Sequence, residues 1–368
     1  MKLPSLTGVR GVAALWVLLF HLQQYGDAFG LAAIRGWPVL RTGWAGVDLF
    51  FVLSGFILML VHERDFPRLA WAPAGRFAWL RFFRVYPLAT VVLLLILLLT
   101  LLDPRFTAYW SQGSIPHNFT VSSFFRTLAL ATRWWSPTDG DWNQPEWSLS
   151  VEILGYVAFP AIAVAATRLT DRRWLVALAA LSLAFPTAYA AVTHGKPFND
   201  DIFWGAGTRM AGAFTGGIVL ARLHRLAPER ERAVQGGLAT AALVALLICL
   251  LLPPFGYTLL TPCFGLLVYG LAADRGAANR LFAQPLAVWL GLISFPLYLL
   301  HVMALSWLRF TLERDHAGSM ERLAATALLC VFVFALAWLL HLYVEQPSHR
   351  FARRAIAPPE SAGARAAA

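Results

Sequence analysis

The chain has 368 residues, of which 58% are hydrophobic and 14% charged, with a formal charge of +10 and a mean hydropathy of +0.61. A water-soluble domain carries about 25% charged residues, so this composition excludes an ordinary soluble globular protein. The arginines are spread through short loops between apolar runs, which argues against a nucleic-acid surface and for the cation bias that orients membrane proteins.

Ten apolar segments follow one another: 8–26, 43–62, 82–102, 146–166, 173–192, 202–221, 233–252, 255–273, 286–308 and 323–343. Runs of about 20 apolar residues predict membrane helices. The expected fold is therefore all-α: a polytopic membrane protein of about ten transmembrane helices enclosing a central polar cavity. The first segment lacks a small-residue cleavage site after His21 and is predicted to be an uncleaved span. It holds Arg10 near its start and His21 deep inside, eleven positions on. At about 100° and 1.5 Å per residue they share one face, roughly 16 Å apart along the axis. Such a polar stripe must face protein or a water-filled cavity rather than lipid.

The second segment carries Asp48, and its small residues Gly46 and Gly55 suit close helix packing. Arg81 and Arg84 precede the third, three positions apart on one predicted helical face. That spacing fits either positive-inside anchoring or bidentate binding of a phosphate. The loop 103–145 is rich in aromatics, among them Tyr109, Trp110, Trp134, Trp135 and Trp142, with Trp147 just beyond. They suit an interfacial belt or a platform for the sugar face of an acceptor. Within this loop, 119–133 is predicted to form a helix along the membrane surface. The fourth segment carries Glu152, the sixth Arg209, and the ninth Ser294, Tyr298 and His301. Tyr298 and His301 share a face. Cys249, Cys263 and Cys330 show neither metal spacing nor a disulfide framework. From 346 to 368 the chain turns polar, then Pro-Pro and Ala-rich, and is predicted to be a disordered cytoplasmic tail behind a 1–345 transmembrane domain.

If the N-terminus is cytoplasmic, the inner side holds twenty Lys and Arg and the outer side nine. This predicts both termini inside. His21, Asp48, Glu152 and the Ser294–His301 stripe then fall at overlapping depths on four helices. A histidine beside a buried carboxylate is a usual general base, and either Glu152 or Asp48 is the expected partner of His21. Intramembrane His and carboxylate groups also build proton relays and ion paths, so a transporter of a small acylated or anionic solute is the competing reading. No phosphate-binding glycine loop is present, so ATP-driven chemistry has no support.

Six motifs, in order, resemble the acyltransferase-3 family of bacterial membrane O-acyltransferases. They are Arg10 with His21; the stretch Gly46-Val47-Asp48-Leu49-Phe50-Phe51-Val52-Leu53-Ser54-Gly55-Phe56; Arg81-x-x-Arg84 before Pro87; Trp147-Ser148-Leu149-Ser150-Val151-Glu152; Ser294 through Tyr298 to His301; and Glu345-Gln346-Pro347. The resemblance implies transfer of an acyl group, usually acetyl from acetyl-CoA, to a hydroxyl of an extracytoplasmic glycan or lipid-linked sugar, in a bacterial inner (plasma) membrane. It implies Arg10 and His21 as the catalytic pair, Arg81 and Arg84 against the CoA phosphates, and Glu152 within the site. Asp48 is expected as a supporting catalytic group, and Tyr298, His301, Ser294 and Trp147 as acceptor-side groups. The partners expected are acyl-CoA, the glycan or lipid-linked sugar acceptor and membrane lipids, and transfer is completed by the membrane domain itself or with a further partner. Neither a metal nor a nucleic acid is implied.

Overall fold

Pro4 opens the first helix, α1 (Pro4–Gln24), at the position where a missing N–H costs nothing. In the computed structural model, which describes residues 3–106, 119–134, 141–192, 204–252 and 256–356, it is followed by α2 (Gly46–His62) and α3 (Trp71–Leu102). Next come α4 (Val121–Leu128), α5 (Glu146–Arg168), α6 (Arg172–Val192), α7 (Trp204–Arg225), α8 (Glu229–Leu251) and α9 (Gly256–Leu271). The short α10 (Ala277–Phe282) leads into α11 (Pro285–Arg314) and α12 (Ser319–Leu340). A π-helical turn, His341–Glu345, joins α12 to α13 (Gln346–Ala355). No strand occurs among the described residues.

Seven helical stretches are long and apolar enough to cross a membrane: Pro4–Gln24, Gly43–Asp65, Trp71–Leu102, Glu146–Arg168, Glu229–Leu251, Pro285–Arg314 and Ser319–Ala355. Helices α6, α7 and α9 stand at the other three positions expected from the sequence. Among the described residues the structure thus supports seven spans by length and composition, where the sequence predicts ten.

The pair α1 and α11 organises the site. They run parallel at a constant offset: Gly11 meets Gly291, and His21 meets His301, 280 positions on in each case. A Cβ on Gly11 would overlap the backbone of Gly291 and Leu290, and one on Gly291 would overlap the backbone of Thr7. Close approach of two backbones is what small residues provide in membrane helices. Gly55 does the same for α2 against α7, where a Cβ would strike the Phe214 carbonyl. The packing role expected of Gly55 is therefore observed. Replacing Gly291 by valine is expected to destabilise the bundle by about 3 kcal/mol through overpacking. A fall in the melting temperature of the detergent-purified protein measures it; an unchanged melting temperature would contradict the close crossing.

Ion pairs pin one end of the bundle. Glu63, at the end of α2, receives Arg222 (2.6 Å) and Arg225 (2.5 Å) from the last turn of α7. Glu231 receives Arg172 and, at 2.6 Å, the Tyr269 hydroxyl, which ties α8 to α6 and α9. The start of α3 lies at this same end, since the His62 ring packs edge-on against Phe77.

Two expectations are corrected here. The chain beyond 345 is not disordered from its start. α13 is amphipathic and lies on α3: Trp79 donates its indole N–H to the Ala352 carbonyl at 3.2 Å, and Phe351 packs on Phe83. These contacts with α3 offset the cost of ordering, and the polar composition alone concealed them. Residues 357–368 lie outside the described residues. The helix expected over 119–133 is shorter, Val121–Leu128. Thr120 and Ser123 cap its start reciprocally, and Leu130 adopts a positive φ of 52° just past its end. Trp142 is buried and donates to Ser123 Oγ at 3.0 Å, so it is part of the packing rather than an exposed platform. Tyr109, Trp110 and Trp135 lie outside the described residues.

Candidate active site

Because α1 and α11 run in register, one face of α1 delivers both its polar groups to α11. Arg10 donates through Nε to Ser294 Oγ (2.9 Å) and through Nη2 to the Gly291 carbonyl (2.8 Å). Three turns on, His21 meets His301, with ring centroids 4.8 Å apart. The shared face predicted from the spacing is observed.

The tautomers follow from the partners. His21 Nδ1 lies 2.9 Å from the Val17 carbonyl and His301 Nδ1 lies 2.7 Å from the Tyr298 carbonyl. A carbonyl only accepts, so each Nδ1 carries the proton. His301 Nε2 then has its lone pair directed at His21 Nδ1, 3.2 Å away. His21 therefore shares its Nδ1 proton between two acceptors, and its Nε2 keeps a lone pair with no hydrogen-bond partner among the described residues. That is the state of a general base or nucleophile, with its ring orientation fixed from behind.

The expected carboxylate partner is not there. Asp48 is buried and paired instead with Arg209 of α7 at 2.8 Å. The Arg209 guanidinium lies between two indoles, Trp44 at 5.1 Å and Trp147 at 5.2 Å. Glu152 accepts from Ser54 Oγ at 2.6 Å. A second imidazole takes the orienting role assigned to a carboxylate. Similar depth on separate helices does not decide which side chains touch; the direction of each helical face does.

A cavity of about 150 Å³ runs between α1, α2, α3, α5 and α11. Arg81 and Arg84 line one end of it, Arg10, Ser54 and Glu152 its middle, and Ser148 and Tyr298 the other end. Arg10, Arg81, Arg84, Glu152, Ser294 and Tyr298 are thus brought together as expected. Trp147 is not among the lining residues; it belongs to the Arg209 sandwich. Neither His21 nor His301 lines the cavity. Tyr298 stands between, its ring 5.7 Å from that of His301. The Tyr298 hydroxyl donates to the Pro145 carbonyl (3.2 Å) and lies 2.9 Å from Ser148 Oγ.

At the arginine end the two cations differ. Arg81 lies over the Phe77 ring at 5.8 Å, and its buried Nε has no hydrogen-bond partner among the described residues. Arg84 is paired through Nη1 with buried Glu345 at 2.6 Å. Sequence reasoning missed four contributors: Ser54, Ser148, Tyr156 and the side chain of Glu345. Ser54 and Glu345 sit inside stretches that the family resemblance singled out, yet nothing in their spacing reveals a contact across 98 or 261 positions.

Compared with known proteins, residues 3–342 match the acyltransferase 3 family, described as an acyltransferase domain. The chain belongs to the acyltransferase 3 family. As a member of that family it is an acyltransferase. It is 29% identical to "Acyltransferase MdmB" of Streptomyces mycarofaciens, over 96% of this chain and 93% of that protein. It is 21% identical to the "Putative O-acetyltransferase SACOL0978" of Staphylococcus aureus, over 83% of this chain and 51% of the relative. It is 22% identical to "Peptidoglycan O-acetyltransferase OatA" of Listeria monocytogenes, over 81% and 48%. The chain thus spans about half the length of these last two relatives and nearly all of the first. No solved structure matches it.

Proposed function

We propose that the chain is a bacterial plasma (inner) membrane O-acyltransferase that takes acetyl from cytoplasmic acetyl-CoA and places it on a hydroxyl of an extracytoplasmic glycan or lipid-linked sugar. The observation that carries this reading is the cavity lined by Arg81, Arg84, Arg10, Glu152 and Tyr298, with the Tyr298 ring 5.7 Å from that of His301, the partner of His21. A cavity of about 150 Å³ holds about five waters' share of liquid volume. It suits a slender pantetheine arm and leaves the nucleotide outside, against the arginines. The named O-acetyltransferases among the relatives support acetyl as the group moved, and the peptidoglycan enzyme supports a glycan acceptor. The excess of Lys and Arg on one side supports both termini in the cytoplasm, with ten spans.

In the proposed reaction the thioester passes Tyr298 once its two hydrogen bonds break, at a cost of about 1–3 kcal/mol. His21 Nε2 takes the proton of the acceptor hydroxyl as its oxygen attacks the thioester carbonyl. The C–O bond forms, the C–S bond breaks, and the thiolate leaves with the proton that His21 returns. Arg10, held by Ser294 and Gly291, stands beside the path of the donor. Glu152 offsets the three arginine charges around the cavity, and Ser294 and Tyr298 shape its wall.

Inside-out membrane vesicles supplied with radiolabelled acetyl-CoA test this reading. Alkali-labile label on lumenal glycan, absent from vesicles without the chain, is expected. Label that stays on CoA, with no ester formed on any glycan or lipid-linked sugar, contradicts it. Histidine-bound acetyl trapped with donor alone would replace direct attack by a two-step transfer.

A further inference from the structure

Arg84 offers a guanidinium to the cavity, but part of it is already engaged. Its Nη1 meets Glu345 Oε1 at 2.6 Å, and the His349 ring nitrogens lie 3.2 and 3.5 Å from the same atom. Glu345 is itself held. Its Oε2 accepts from His341 Nδ1 at 2.7 Å, and His341 Nε2 accepts from the Gln346 amide at 3.0 Å. The carboxylate is buried, with a side-chain exposure of 1%. All of these groups come from the π-helical turn His341–Glu345 and the first residues of α13. A π turn shifts the helical register, and such turns cluster at functional sites.

The atom that Glu345 takes matters. An arginine presents a side-on fork made of Nε and Nη2, the geometry that receives two oxygens of one phosphate. Nη1 lies outside that fork. Glu345 therefore fixes the guanidinium through its one spare corner, and among the described residues no hydrogen bond or ion pair engages the Nε–Nη2 edge of this cavity-lining arginine.

We infer that Glu345 is a positioning residue for the donor: it holds Arg84 so that its Nε–Nη2 fork faces a phosphate of the acyl-CoA. This rests on the donor assigned under Proposed function. A simple counter-ion would make the opposite demand, since removing it would free Arg84 and tighten anion binding.

Titrating CoA into the full chain in lipid nanodiscs tests the inference. Glu345→Gln keeps the size and removes the charge. It is expected to raise the Kd for CoA about 10-fold, the order of one charge-assisted hydrogen bond, at unchanged stoichiometry. Arg84→Ala should weaken binding further, and adding Glu345→Gln to Arg84→Ala should change nothing more. A merely structural role would lower the number of sites and leave the Kd alone. An unchanged or lower Kd in Glu345→Gln, or a loss that persists in the Arg84→Ala background, overturns the inference. Should Glu345→Gln not fold, Glu345→Asp, which draws the charge back by one methylene, is expected to weaken CoA in the same sense, and an unchanged Kd there overturns it equally. If the unaltered protein binds no CoA, the donor assignment itself fails, and that result is distinct from the others.

Discussion

Transfer should fall by about 1000-fold or more when His21 becomes alanine, the size of a positioned general base. Among the described residues its Nε2 is the lone pair of the histidine pair not directed at a protein partner, because Nδ1 is committed to Val17 and His301. His301→Ala should cost less, since the Val17 carbonyl still fixes the His21 tautomer. The measurement is ester formation from labelled acetyl-CoA, normalised to folded protein by size-exclusion chromatography. A His21→Ala protein that keeps a tenth of the activity would remove His21 from the chemistry.

Replacing Asp48 with alanine is expected to cost about 3–5 kcal/mol of stability, the usual penalty for stripping one partner from a buried ion pair. The Arg209 charge would lose its carboxylate between Trp44 and Trp147. The double substitution Asp48→Leu with Arg209→Met should recover most of that stability, because an apolar pair avoids the desolvation of two charges. Thermal unfolding in detergent reads both proteins. If the double variant is stable and active, Asp48 acts through packing. If it is stable and inactive, Asp48 regains a place in the chemistry.

The helices were legible because lipid forces long apolar runs, and the shared face of Arg10 and His21 because helical geometry is fixed. α11 was marked as their partner only by depth, yet Ser294, Tyr298 and His301 all proved to lie beside them or the cavity. The partner of His21 was not legible. Asp48, Glu152 and His301 lie at similar depths, and only the rotation of each helix decides which one meets the ring. The Asp48–Arg209 pair escaped for the same reason, although both residues stood out as charges inside apolar segments. The helix over 346–355 was hidden because its stability comes from Trp79 and Phe83, some 270 positions earlier.

If, as proposed, the catalyst serves two compartments, it must not become a leak between them. The Tyr298 side chain, held by the Pro145 carbonyl and Ser148, lines the cavity, while neither imidazole does. On the proposed reading, the idle protein keeps protons and ions from crossing.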